Sequence, residues 1–178
     1  MTEESLMYPI GKFVKPENFT REEIKQYKLD IAAFPMKLRK EVAHLTEEQL
    51  DTSYRPGGWT VRQVVNHCAD SHMNSLMRFK LALTEDQPTI RPYYEDRWAT
   101  LADSNTISII PALDLLDGLH ARWSVLLESL SVSDLKRTFI HPSGNQIITL
   151  EENIGIYAWH GNHHLAHITS LKQRENWQ

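Results

Sequence analysis

The chain has 178 residues and a mass of 20.7 kDa, which is enough for one well-buried core and too little for two ordinary domains. Its 41% hydrophobic and 24% charged residues are typical of a globular protein. A formal net charge of −4 and a pI near 6.1 exclude the strongly basic surface that a nucleic-acid partner requires. We therefore expect a single domain over residues 1–178 with no nucleic-acid partner.

The cysteine content and the hydropathy pattern indicate the compartment. The single cysteine, Cys68, excludes an intrachain disulfide and a CxxC metal site, and it is consistent with a reducing environment. No apolar run approaches the roughly 20 residues of a membrane-spanning helix. The N-terminal segment lacks a basic region followed by an apolar one. We therefore expect a cytoplasmic protein with no membrane partner.

Three long helices are predicted from the same start signal, a Thr followed three residues later by Glu or Gln. In this capping box, each side chain satisfies a free backbone N–H group at the helix start. The three pairs are Thr20/Glu23, Thr60/Gln63 and Thr149/Glu152. Within the first helix, Pro35 is expected to cause a kink near Phe34 without ending the helix, because the apolar periodicity resumes beyond it.

A fourth helix and a hairpin complete the predicted fold. The helix runs from Ala112 to about Leu130 and follows Pro111, a residue favoured in a first helical turn. The segment Phe139–Ile148 reads as a small β-hairpin that turns at Ser143-Gly144-Asn145. Four amphipathic helices joined by two sizeable connections predict an all-α four-helix bundle, with the hairpin before the last helix.

The last predicted helix carries four histidines within eight residues: His160, His163, His164 and His167. Because an α-helix turns about 100° per residue, all four rings lie within roughly 100° on a face that should be apolar. Buried polar rings are costly unless they are hydrogen-bonded or bind something. Neutral imidazole is the commonest zinc ligand, and an i, i+4 pair puts two nitrogens on one side of a helix. The spacing predicts a metal site but leaves 160/164 and 163/167 as equivalent pairs.

The second long helix offers a third ligand, because a catalytic zinc site needs three protein ligands and an open position. Its candidates are His67 and His72. Helical periodicity slightly favours His72, which lies in the middle of the apolar stripe. His67 aligns instead with a polar stripe of Ser71, Asn74 and Arg78 that could face a wet pocket. The pattern of residues alone leaves both candidates open.

Several motifs resemble one known family. The segment 59–71, WTVRQVVNHCADS, resembles the second-helix motif of the DinB/YfiT-like superfamily, in which an aromatic-Thr/Ser start leads to His-hydrophobe-Ala-Asp. The sequence HGNHH at 160–164 resembles the superfamily's last-helix pattern of two histidines four residues apart. The stretches YPIGKF, DSHMNSLMRFKLALTED and RPYYED are similar to YfiT-like proteins, which are described as metal-dependent hydrolases. The resemblance covers essentially the whole chain.

The resemblance implies a ligand set and an assembly. The implied metal ligands are His67, His160 and His164, whereas the residues implied to hydrogen-bond a ligand or to pack beside it are His72, His163 and His167. The resemblance also implies a homodimer with one zinc ion per subunit, with nickel as a frequent alternative because imidazole binds both metals. Asp70 lies one turn from His67 and is a candidate general base or ring-orienting carboxylate; a solvated or helix-pairing carboxylate is the alternative.

Three functions are compatible with such a site. An ion held by three neutral imidazoles lowers the pKa of bound water from about 16 to about 7, which would support hydrolysis of a small-molecule substrate. The same ion would deprotonate a bound thiol, which would support an S-transferase that uses a low-molecular-weight thiol such as bacillithiol. The third possibility is a metal-stabilised binding protein without turnover, whose ion would be closed by a fourth protein ligand. No sequence motif distinguishes hydrolysis from thiol transfer.

Overall fold

The structure is a computed structural model that describes residues 2–177, and it is mostly helical. In chain order, its elements are α1 (Glu3–Met7), α2 (Arg21–Val42), α3 (Glu47–Leu50), α4 (Val61–Thr84), α5 (Glu95–Trp98), α6 (Ala102–Asn105), α7 (Ile110–Glu128), α8 (Val132–Leu135), β1 (Thr138–His141), β2 (Gln146–Thr149) and α9 (Leu150–Arg174). Four of these helices are long: α2, α4, α7 and α9. They form a four-helix bundle, as predicted, and the helix expected to start at Ala112 starts two residues earlier.

Side-chain caps set the helix starts. At Thr20 and Thr60 the predicted capping boxes are complete, because each hydroxyl accepts an N–H bond and the side chain three residues later accepts the Thr N–H. At Thr149 the prediction was only half right. The Thr149 hydroxyl accepts the Glu152 N–H, but the Glu152 carboxylate accepts a bond from Lys15 Nζ at 2.6 Å instead of closing the box.

The packing of the long helices determines which faces meet. Helix α2 packs against α7 and α9, and α4 packs against the same two helices. Helices α2 and α4 therefore lie at opposite corners of the bundle, although they are consecutive long helices in the chain. Each is flanked by two neighbours, so each buries two stripes rather than one. This matters for α4, which carries both His67 and His72.

The core has two apolar halves with a polar layer between them. The ring of His72 lies in this layer, 4.9 Å from the ring of Phe34 in one half and 5.9 Å from that of Trp123 in the other. His120 of α7 lies beside His72, and the two side chains are 2% or less exposed. Polar rings at this depth require hydrogen-bond partners.

Helix α2 continues through Pro35, as predicted. Proline has no backbone N–H, so the carbonyl of Ile31, four residues earlier, has no helical donor. This carbonyl accepts a hydrogen bond from Nδ1 of His120 at 2.7 Å. The proline therefore opens a backbone acceptor to a neighbouring helix.

The predicted hairpin is confirmed. Strands β1 and β2 pair antiparallel, with Phe139 opposite Ile148, and the chain turns through 143–145. Gly144 has a φ of 77°, a left-handed conformation that glycine adopts without steric cost. The hairpin also holds the linker after α4, because Ile90 N–H donates to the Ile140 carbonyl at 3.0 Å. In the part of the chain described, no helix is long and apolar enough to cross a membrane.

Candidate metal centre

Three of the histidines singled out in the sequence converge between two packed helices. His67 comes from α4, and His160 and His164 come one turn apart from α9; each offers a ring nitrogen within 4.8 Å of the others. The Nε2 atoms of His67 and His160 are 3.1 Å apart. Two nitrogens bound to one tetrahedral zinc, each about 2.0–2.1 Å from the ion, lie about 3.3 Å apart. The spacing of this pair therefore fits a single divalent ion.

Burial keeps these imidazoles neutral. Desolvation, together with neighbouring histidines, lowers the pKa of His67 to about 4. The same causes, desolvation first, hold the pKa values of His160 and His164 well below the ordinary histidine range. A neutral ring carries the lone pair that a metal needs, whereas a protonated ring does not. The three rings thus have the protonation state of ligands at neutral pH.

A second histidine group overlaps the first. His163, His164 and His167 also offer ring nitrogens within 4.8 Å of one another, and all lie on α9. Their Nδ1 atoms are buried and lack hydrogen-bond partners among the described residues. The other nitrogen of His167, Nε2, donates to the Met7 carbonyl at 3.0 Å, and the ring of His163 stacks on Trp159 at 4.5 Å. The two groups share His164 and differ in that only the first joins two helices.

His72, which periodicity slightly favoured as a ligand, belongs to neither group. Its Nε2 lies 3.1 Å from Nδ1 of His160, and its Nδ1 lies 2.8 Å from Nε2 of His120. His72 is therefore behind the candidate ligand His160, on the side away from His67. Sequence reasoning gave His120 no functional role. Its only sequence signal was a histidine on the apolar stripe of α7.

Asp70 does not make the expected contact with His67. No hydrogen bond joins their side chains in the described part of the chain, and Asp70 lines neither of the cavities that reach the histidines. Burial, together with the nearby carboxylate of Asp103 in α6, raises the pKa of Asp70 to about 6. Helix α6, which carries Asp103, packs against α4. The one-turn spacing between His67 and Asp70 therefore did not bring their side chains into contact.

Two cavities meet at His160. The larger, of about 560 Å³, lies on the hairpin side and is lined by Ser71, Arg78 and Tyr157 among others. The smaller, of about 320 Å³, contains the rings of all the candidate ligands together with His163, His167 and two tryptophans. Glu95, at the start of α5, lines both cavities. Two members of the predicted polar stripe on α4 therefore do face a pocket, whereas Asn74 lines a separate cavity.

Comparison with known proteins is consistent with this geometry. A family model described as the DinB superfamily matches residues 31–168. The chain belongs to the DinB superfamily. It is 50% identical over 177 residues to a Bacillus subtilis protein named "Putative metal-dependent hydrolase YfiT", and the match covers 99% of each chain.

A second relative and a solved structure extend the comparison. A Bacillus cereus (strain B4264) protein, also named as a "Putative metal-dependent hydrolase", is 53% identical over 172 residues, which cover 97% of this chain and 98% of that one. The solved structure of YfiT from B. subtilis superposes with a TM-score of 0.95 at 49% identity, covering 98% of this chain and 99% of that chain. That protein is described as having an unusual four-helix bundle topology. At this TM-score the two proteins share one fold.

Proposed function

We propose that this protein is a metal-dependent hydrolase of small molecules and that one divalent ion per subunit, zinc or nickel, binds to His67, His160 and His164. The observation that carries the proposal is the convergence of three neutral imidazoles from two helices beside two cavities. Three protein ligands leave one position open for a reactant, as in catalytic sites, whereas structural zinc sites are closed by four. The names of close relatives support the hydrolase class.

When bound, the ion would supply Lewis acidity and would lower the pKa of water to about 7. Side chains of the larger cavity would bind the substrate. The Tyr157 hydroxyl donates to the Ser71 carbonyl at 3.1 Å, and Arg78 lies 3.4 Å from the same hydroxyl. Arg78 makes no ion pair with a described carboxylate, so its charge is free to bind substrate oxygens. We therefore assign Arg78 to substrate binding, with Tyr157 holding it in place.

Glu95 is better placed than Asp70 to accept a proton. It lines both cavities, as His160 does. Desolvation, with the neighbouring Asp96 charge as a second cause, raises the pKa of its carboxyl group above the ordinary value. A raised pKa brings a carboxylate closer to the value suited to general base catalysis near neutral pH. Glu95 is thus our candidate general base, and Asp70 remains an untested alternative.

One feature of the site favours a second candidate function, a thiol S-transferase. Two separate cavities open onto His160, and a transfer between a low-molecular-weight thiol and an electrophile needs two adjacent binding spaces. The ion would then act on the thiol, because coordination removes its proton. Hydrolysis needs only one such binding space, because its second reactant is water. The two functions are separated by their dependence on added thiol.

Metal analysis of single variants tests the ligand assignment. His67→Ala, His160→Ala and His164→Ala should each lose most of the bound metal, while His163→Ala and His167→Ala should retain it. His44→Ala, which removes an exposed histidine of the bundle surface, is the control. Because His164 belongs to both groups, the deciding pair is His160 against His167. Loss of metal in His167→Ala with retention in His160→Ala would move the ion to the second group.

Activity assays test the reaction class. Metal-loaded protein should hydrolyse members of a panel of esters, amides and phosphoesters without added thiol, and Arg78→Leu should raise KM for anionic substrates. Turnover of an electrophile only in the presence of bacillithiol would favour the S-transferase instead. Tight metal binding with no turnover in either assay would favour a metal-stabilised binding protein.

A further inference from the structure

A line of hydrogen bonds runs from the candidate metal centre across the whole bundle. Nδ1 of His160 lies 3.1 Å from Nε2 of His72, and Nδ1 of His72 lies 2.8 Å from Nε2 of His120. The line ends where Nδ1 of His120 meets the Ile31 carbonyl at 2.7 Å. These four residues belong to α9, α4, α7 and α2 in turn. We refer to His160, His72 and His120 as the histidine chain.

The backbone carbonyl at the end gives the histidine chain a direction. A carbonyl only accepts, so the proton of that bond must be on Nδ1 of His120. A neutral imidazole has one N–H, which leaves Nε2 of His120 as an acceptor and requires Nδ1 of His72 to donate. By the same step, Nε2 of His72 accepts and Nδ1 of His160 donates. Nε2 of His160 is then left with a bare lone pair.

The bare nitrogen is the one that faces the other ligands. Nε2 of His160 lies 3.1 Å from Nε2 of His67, inside the group that we assign to the ion. The opposite tautomer of His160 would place a proton at this position and block it. The histidine chain therefore stabilises the tautomer of His160 that can bind a metal. Metal-binding histidines commonly donate their second N–H to a partner, which orients the ring in this way.

The sequence explains why the Ile31 carbonyl is available at the end of the histidine chain. In an uninterrupted helix, the Ile31 carbonyl would accept the N–H of residue 35, but that residue is Pro35. The carbonyl is therefore a buried acceptor without a helical donor, and His120 is the group that satisfies it. Phe34 covers the histidine chain from one side, with its ring 4.9 Å from that of His72 and 5.8 Å from that of His120. Solvent is thereby kept from offering competing partners.

We propose that His72 and His120 are positioning residues, which act from the opposite side of the bundle to hold His160 in its Nε2-ligating tautomer. The inference rests on the proposed metal site for its purpose, but the tautomer itself can be measured without metal. In a polar layer with a purely structural role, either direction of hydrogen bonding would satisfy the three rings. The Ile31 carbonyl instead fixes one direction, and that direction leaves Nε2 of His160 free of a proton.

The first test reads the tautomers directly. Two-bond ¹⁵N–¹H correlation spectra of ¹⁵N-histidine-labelled, metal-free protein at pH 7.5 should show His160, His72 and His120 all protonated at Nδ1 and bare at Nε2. Single His→Gln variants at each of the three positions give the assignments. Protonation of His160 at Nε2 in the wild-type protein would overturn the proposal. This result would not depend on whether the protein is a hydrolase.

The second test removes the far end of the chain. His120→Leu deletes the acceptor for His72, so His160 should populate the wrong tautomer and the Kd for Zn²⁺ should rise about 10-fold or more. His120→Gln keeps both a donor for Ile31 and an acceptor for His72, so its Kd should stay within about threefold of wild type. Leu116→Ala is the control, because it removes a buried apolar side chain from the same face of α7 one turn earlier and leaves all three histidines in place.

The outcomes separate this proposal from the proposed function. Equal Kd values for His120→Leu and Leu116→Ala would overturn the positioning role, even if the metal site is correct. Wild-type protein that shows the expected tautomers but binds no Zn²⁺ would overturn the metal site and leave the direction of the chain standing. If His120→Leu does not fold, the tautomer of His160 in the wild-type protein still tests the proposal, because protonation at Nε2 would overturn it.

Discussion

The residue after His160 provides a sharp test of how tightly the candidate site is packed. A Cβ added at Gly161 would lie 2.9 Å from Cδ2 and 3.2 Å from Cγ of Phe34. Phe34 is only 2% exposed, and its ring lies 4.9 Å from the ring of His72 and 5.8 Å from that of His120. A buried ring with these neighbours cannot yield to a new methyl group without disturbing them. We therefore expect Gly161→Ala to press Phe34 against the histidine chain.

Two opposing effects determine the magnitude. Alanine in a helix interior is favoured over glycine by about 0.5–1 kcal/mol. Overpacking of a well-packed core costs about 1–3 kcal/mol. The net expectation for Gly161→Ala is a loss of roughly 0–2.5 kcal/mol in the free energy of unfolding. Gly118 in α7 has no atom within 4 Å of an added Cβ, so Gly118→Ala should give the favourable effect alone.

Thermal and urea unfolding of the two variants beside wild type measure this difference. A change of 1 kcal/mol shifts the Tm of a protein of this size by about 2–4 °C. Gly161→Ala should therefore melt several degrees below wild type, and Gly118→Ala about 1–4 °C above it. If Gly161→Ala were stabilised as much as Gly118→Ala, Phe34 would have room to move. The close packing that we assign to the histidine chain would then be refuted.

Three further predictions concern acid stability, the general base and assembly. Burial lowers the pKa of His120 and of His167 to about 4, so the unfolded chain, with histidine pKa values near 6.5, takes up these protons first. Their contribution to the free energy of unfolding should be complete above about pH 6.5 and should fall toward pH 4, by up to about 1.4 kcal/mol per pH unit for each histidine. Equal urea midpoints at pH 7.5 and pH 5 for metal-free protein would contradict this. Glu95→Gln should lower kcat at least about 100-fold while retaining metal, and an unchanged kcat would exclude it as the base. Sedimentation equilibrium should give a homodimer of the 20.7 kDa chain; a monomer across micromolar concentrations would argue against it.

Local sequence signals determined most of the secondary structure. The caps at Thr20 and Thr60 and the turn glycine Gly144 act through neighbours within a few residues, so they could be interpreted before any tertiary contact was known. The cap at Thr149 was less predictable, since the Glu152 carboxylate accepts a hydrogen bond from Lys15, which is distant in the sequence. The clustering of the α9 histidines followed from helical periodicity alone, but that periodicity could not choose between overlapping pairs.

Only the tertiary structure decided what each α4 histidine faces. A helical wheel assumes one buried stripe, whereas α4 lies between α7 and α9 and buries two. His67 faces the other candidate ligands on α9, while His72 links His160 to His120 on α7. Which helices lie side by side is set by packing of the whole chain, and no short-range pattern encodes it.

The far end of the histidine chain shows the same division. The sequence by itself indicates that Pro35 leaves the Ile31 carbonyl without a helical donor, because the i to i+4 rule is local. It does not say which side chain satisfies that carbonyl. His120 does so because α7 packs against both α2 and α4, a consequence of the bundle topology. Sequence therefore determined the unsatisfied group, and tertiary packing determined its partner.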